Sequence, residues 1–130
     1  MDPIFHLLPD APKPVAPYNH AVEAGAFVFV TGQLAIDPGD DSLPVPPGIE
    51  AQTRKVMDNL SRVLKGCGLA LGNVVCGRVF LTDFNGDYAK MNEIFSSYFA
   101  PDKRPARTTV GVTALARGGI VEIDIIAFRP

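Results

Sequence analysis

Three runs of this chain are apolar on both faces of a strand: Phe27-Val28, Val79-Phe80 and Ile125-Ile126. Successive strand side chains point to opposite sides of a sheet, so such strands ask to be covered twice. Only two segments have the period of an amphipathic helix, and two helices cover one face of one sheet. The other face must be buried by something else. An oligomer is the simplest answer, because a wide exposed apolar sheet aggregates. The composition agrees: of 130 residues, 47% are hydrophobic and 20% charged.

The helical periods are clear. Ile49, Thr53, Val56, Met57, Leu60, Val63 and Leu64 recur at i, i+3, i+4 and i+7, with Glu50, Arg54, Lys55, Asp58 and Arg62 on the opposite side; Gly66 and Gly68 close the helix. A second helix is expected from about Asp87, after a turn at Asn85-Gly86, to Phe99, with the stripe Tyr88, Met91, Ile94, Phe95, Tyr98 and Phe99. Strands are expected at Phe27 to Thr31, Val74 to Thr82, Ala106 to Val112 and Ile120 to Phe128, with a further short one at Leu34-Ala35-Ile36. Five prolines before position 18 predict an irregular lead-in. Asp37 to Gly48, rich in proline and turn residues, is expected to be a loop. The order β, (β), α, β, α, β, β predicts one α+β domain over 1–130, with a single mixed sheet and both helices on one face.

Charge and motif content narrow the chemistry. Twelve basic and fourteen acidic residues give a net charge of −2, with no electrostatic footprint for nucleic acid or an anionic membrane. No apolar stretch is long enough to span a bilayer, and the first residues do not resemble a secretory signal, so a cytoplasmic location is expected, with Cys67 and Cys76 reduced. His6 and His20 are too few and too isolated for a metal centre, and Cys-x-x-Cys, phosphate-binding glycine loops and Gly-x-Ser-x-Gly are absent. Any activity is expected to use positioned polar groups and water, without cofactor or metal.

A few residues stand out. Arg107 sits in a strand of small and β-branched residues, Pro105-Ala106-Arg107-Thr108-Thr109-Val110. It points opposite to Thr108 and Val110; if those face the helices, Arg107 faces the uncovered side. A partly buried arginine needs an anionic partner, and a structural salt bridge would serve as well as a ligand. Glu122 and Asp124 share a face of an otherwise apolar strand, either towards solvent or towards a reacting water. Tyr18 and Asn92 have packing or boundary roles as their plain alternative. Gly32 suits a turn or close approach. His20, which titrates near neutrality, is either an acid-base group or a packed histidine.

Taken in order, Pro17-Tyr18, Phe29-Val30-Thr31-Gly32-Gln33, Gln52-Thr53-Arg54 with Asn59-Leu60, Val79-Phe80-Leu81-Thr82-Asp83, Met91-Asn92, Tyr98-Phe99, Pro105-Ala106-Arg107-Thr108 and Val121-Glu122-Ile123 resemble the RidA/YjgF family over about residues 11–129. The resemblance implies a chorismate-mutase-like fold and a homotrimer with sites between subunits. It implies an enamine/imine deaminase that converts 2-imino acids, 2-iminobutanoate or 2-iminopropionate first, to 2-keto acids and ammonia. In that family Arg107 corresponds to the arginine holding the substrate carboxylate and Glu122 to the glutamate that orients or deprotonates water. Gly32 corresponds to the glycine that lets its backbone approach the ligand, Tyr18 and Asn92 to residues lining the cleft. Thr109 stands where cysteine is common. Asn19-His20 and the Asp37–Gly48 loop depart from the family pattern, and His20 is the residue through which a pathway-dedicated deaminase of aminoacrylate- or aminomuconate-like compounds would differ. A regulator that binds a carboxylate without turnover would keep Arg107 too. An endoribonuclease label is at odds with the acidic balance, and a chorismate mutase reading shares only the fold.

Overall fold

A computed structural model describes residues 1–130. Its elements are β1 (Ile4–His6), β2 (Ala21–Ala24), β3 (Phe27–Gln33), α1 (Ile49–Gly66), β4 (Val74–Leu81), α2 (Phe84–Ser97), β5 (Ala106–Gly111) and β6 (Val121–Phe128), with single 3-10 turns at Leu71–Asn73 and Ala116–Gly118. They form one six-stranded sheet in the order β1-β2-β3-β6-β4-β5. Neighbours are antiparallel except β4 and β5, which are joined through α2 and run parallel. The last strand, β6, lies between β3 and β4, so the α1 crossover spans it.

Both helices pack on one face, as the two helical periods required. Val56, Met57, Leu60, Val63 and Leu64 of α1 and Met91 and Phe95 of α2 meet Val28, Val30, Val79, Leu81, Val121, Ile123, Ile125 and Ala127 from the central strands. Each of these side chains larger than alanine contributes about 1.5–3 kcal/mol when taken out of water. The opposite parity of these strands and the matching position on β5 leave Phe29, Ile126, Phe80 and Val110 on the open face; Phe29 is 46% exposed and Val110 42%. A concave depression of ≈ 560 Å³ lies there, and across it Arg78 grips Asp124 through two hydrogen bonds of 3.0 and 2.7 Å.

Several sequence expectations need correction. The lead-in is not wholly irregular: Ile4–His6 pairs with Ala21–Ala24, and neither strand was expected. Ala21–Ala24 has little intrinsic strand character; a two-residue turn at Gly25-Ala26, where Gly25 has φ 61, folds it back on β3. Leu34-Ala35-Ile36 is no strand. Pairing of β3 with β6 shifts register between Val30 and Gln33, and the buried segment that follows has its Leu34 and Ile36 carbonyls satisfied by the Asn59 side chain, at 2.9 Å each. The second helix begins three residues earlier than expected and ends at Ser97. The Asp83 carboxylate caps it by accepting from Gly86 N–H at 3.1 Å, so Asn85-Gly86 is its first turn.

Candidate functional site

The sequence-nominated residues gather in two places. The first is where β3 leaves the sheet. Thr31 holds the 17–20 segment through its hydroxyl, which donates to the Asn19 carbonyl (2.9 Å), and its N–H, which donates to the His20 carbonyl (3.0 Å). This seats Tyr18 and Gly32 on the wall of one shallow pocket. Glu122, on the open face of β6, lies directly against Gly32. A Cβ at Gly32 would overlap Glu122 Oε2 and stand 3.0 Å from its carboxyl carbon, so any larger residue there displaces the end of the Glu122 side chain. The Glu122 carboxylate makes no hydrogen bond within the chain. Burial first, and the neighbouring Asp124 charge second, push its pKa above the ordinary glutamate range. A half-buried carboxylate with free lone pairs and a raised affinity for protons can hold a water and accept its proton.

The second place is the β5 edge. Arg107 and Thr109 point towards the helices, while Thr108 and Val110 lie on the open side. This reverses the conditional expectation for Arg107. Its guanidinium lies along α2: Cζ is 5.0 Å from the Phe95 ring centroid and 5.8 Å from that of Tyr88, Nη2 donates to Tyr88 Oη at 3.3 Å, and Nη1 approaches Met91 Sδ at 4.0 Å. No carboxylate pairs with it. The other half-buried arginine, Arg129, is held in both respects by Glu23, at 2.7 and 3.2 Å. Three of Arg107's five N–H groups remain available. Asn92, one helical turn after Tyr88, shares that side of α2. The Thr109 hydroxyl is buried there without a partner.

Arg107 and Glu122 are not brought together within one chain. Arg107 registers with Gly77 and Glu122 with Phe80, positions of opposite parity on β4, so they stand on opposite faces of the sheet. His20 belongs to neither cluster as a reactive group. It is 2% exposed; its Nδ1 accepts from Leu8 N–H at 2.8 Å, which leaves Nε2–H to donate to the Pro12 carbonyl at 2.7 Å. It is the packed histidine of the two readings. Tyr88 was not nominated from the sequence. Its signal there was faint: one stripe position, one turn before Asn92.

His6, Glu23 and Cys67 place ligand atoms within 4.8 Å of one another. The Glu23 carboxylate already serves Arg129 and His6, and burial first pushes the Cys67 thiol up, so the trio suits an internal clasp better than a cation. Both cysteines are free. No helix is long and apolar enough to cross a membrane.

Residues 8–129 match the family model described as Endoribonuclease L-PSP. A RutC family protein of Pyrococcus horikoshii is 42% identical over 120 residues, covering 92% of this chain and 93% of its own. The mouse 2-iminobutanoate/2-iminopropanoate deaminase is 38% identical over 119 residues, covering 92% and 86%. The crystal structure of RidA from the Antarctic bacterium Psychrobacter sp. superposes with a TM-score of 0.89 at 35% identity, covering 96% of this chain and 98% of that one.

Proposed function

The chain belongs to the RidA/YjgF (endoribonuclease L-PSP) family, and from that premise we propose that it is a deaminase hydrolysing 2-imino acids, or their enamine tautomers, to 2-keto acids and ammonia. The observation that carries this reading is Arg107: a half-buried guanidinium, framed by two aromatic rings, with donors to spare and no anion of its own. A planar fork of this kind fits a carboxylate with two parallel hydrogen bonds. The mouse relative's name supplies a substrate class that carries such a group.

The two clusters are complementary halves. One offers a carboxylate clamp, Arg107 with Tyr88, Asn92 and Thr109; the other offers a water-handling carboxylate, Glu122, against Gly32, which shares a pocket wall with Tyr18. Since a single chain holds them on opposite faces, the working site forms between copies, the Arg107 edge of one protomer meeting the Gly32–Glu122 end of the next. A homotrimer closed over the open apolar face is the assembly proposed. In it the imino acid binds with its carboxylate on Arg107. Protonation of the nitrogen gives an iminium carbon; Glu122 orients a water for attack and takes its proton. Glu122 passes that proton to the carbinolamine nitrogen, the hydroxyl gives up its proton as the carbonyl forms, the C–N bond breaks, and ammonia and the keto acid leave. Imine hydrolysis already proceeds in water, so positioning and local charge suffice.

The test is imine decay and ammonia release with a freshly generated 2-imino acid. Wild type accelerates both, and Arg107→Ala loses ~2–5 kcal/mol of transition-state binding, seen in kcat/KM. An unchanged spontaneous rate with wild type across small and extended imino acids sinks the deaminase reading in favour of a carboxylate-binding role.

A further inference from the structure

We infer that Tyr88 is a positioning residue for the carboxylate clamp: it sets the guanidinium of Arg107 in place before any ligand arrives, and thereby sets how tightly a 2-oxo or 2-imino acid is held. The inference rests on the reading of Arg107 as a carboxylate site, but not on turnover. Arg107 has no anion to hold it, and a free arginine side chain pays a substantial rotamer entropy when a ligand orders it. Here that ordering is done within the chain. Tyr88 Oη accepts from Nη2 at 3.3 Å, and the guanidinium lies over the Tyr88 and Phe95 rings.

Tyr88 is itself fixed. Its ring stacks on Phe84 with centroids 4.9 Å apart and an interplanar angle of 28°, and both residues sit in the first turns of α2, whose start Asp83 caps. A hydroxyl that accepts through its oxygen keeps its own hydrogen, so Tyr88 can also donate to a carboxylate oxygen seated on the fork. Phenylalanine at this position would keep the ring and the stacking and lose the hydroxyl.

The variant is therefore Tyr88→Phe, and the probe is 2-oxobutanoate, titrated calorimetrically into wild type and variant. Guanidinium rotation of Arg107 is followed in the free proteins by nitrogen-15 NMR. The expected result is a Kd raised roughly three- to tenfold, as for loss of one net hydrogen bond. Faster guanidinium rotation before ligand is added and an unchanged melting temperature are expected with it. An equal Kd overturns the inference, as does weaker binding with unaltered guanidinium motion, or a wild type that does not bind 2-oxobutanoate. Weakened binding in Tyr88→Phe alongside no imine turnover by wild type upholds the inference and rejects the deaminase reading. Turnover with equal Kd does the reverse.

Discussion

Glu122 and Gly32 depend on each other in a way neither shows alone. Gly32 has no unusual φ; the carboxylate occupies the space where a Cβ at position 32 would lie. Gly32→Ala therefore pushes the Glu122 carboxyl aside; kcat for imine hydrolysis is expected to fall by about a hundredfold, as for a catalytic group misplaced by ~1 Å. Circular dichroism should be unchanged. The raised proton affinity of Glu122 has its own consequence. In its proposed role Glu122 must be ionised to accept a proton, so the acid limb of kcat/KM against pH is expected above the ordinary glutamate range, with activity rising with pH through it. Glu122→Gln removes that limb along with most of the rate, and a limb that persists in the variant belongs to another group. The sequence showed that Glu122 and Asp124 share a face, because alternation fixes parity. It did not show which parity faces the helices, and for Arg107 that choice came out opposite to the one supposed. Parity is local, while the side a helix covers is decided by the crossover path.

The N-terminal segment was the least legible element. Its prolines forbid helix, yet a three-residue strand forms because β2 offers an edge, and what holds the rest is a buried side chain. His20 ties Leu8 N–H and the Pro12 carbonyl to the start of β2. Truncating it leaves the buried Pro12 carbonyl and the part-buried Leu8 N–H without partners, so His20→Ala is expected to cost about 2 kcal/mol, read as a shifted denaturant midpoint. Its direct effect on kcat should be small, because no nitrogen of the ring is free. If kcat falls while the midpoint holds, the packed role is wrong and the acid-base alternative returns. Asn59 does comparable work for Leu34 and Ile36. That is why an apolar triplet that looks like a strand is instead an irregular, fully buried turn away from the sheet. The strong period of α1 places its ends to within two residues, because many side chains must agree at once.

At the scale of the whole molecule, the doubly apolar strands and the pair of helices were the most informative features of the sequence, and the one-sided sheet follows from them. Phe29 on the open face is 46% exposed and not needed for the monomer's core. Phe29→Glu is therefore expected to leave the secondary structure intact, convert the proposed trimer to monomers in sedimentation, and abolish the proposed imine turnover with it. In the proposed assembly each working site takes Arg107 from one copy and Glu122 from the next, and subunit complementation reads this directly. Arg107→Ala and Glu122→Gln proteins, each inactive alone, are unfolded together, refolded as mixed assemblies and assayed for imine decay. Random mixing gives about a quarter of the sites an intact Arg107 facing an intact Glu122, so about a quarter of wild-type activity should return. Mixed assemblies that stay inactive would rule out a site shared between copies, placing both residues of each site in a single chain or removing one of them from the reaction.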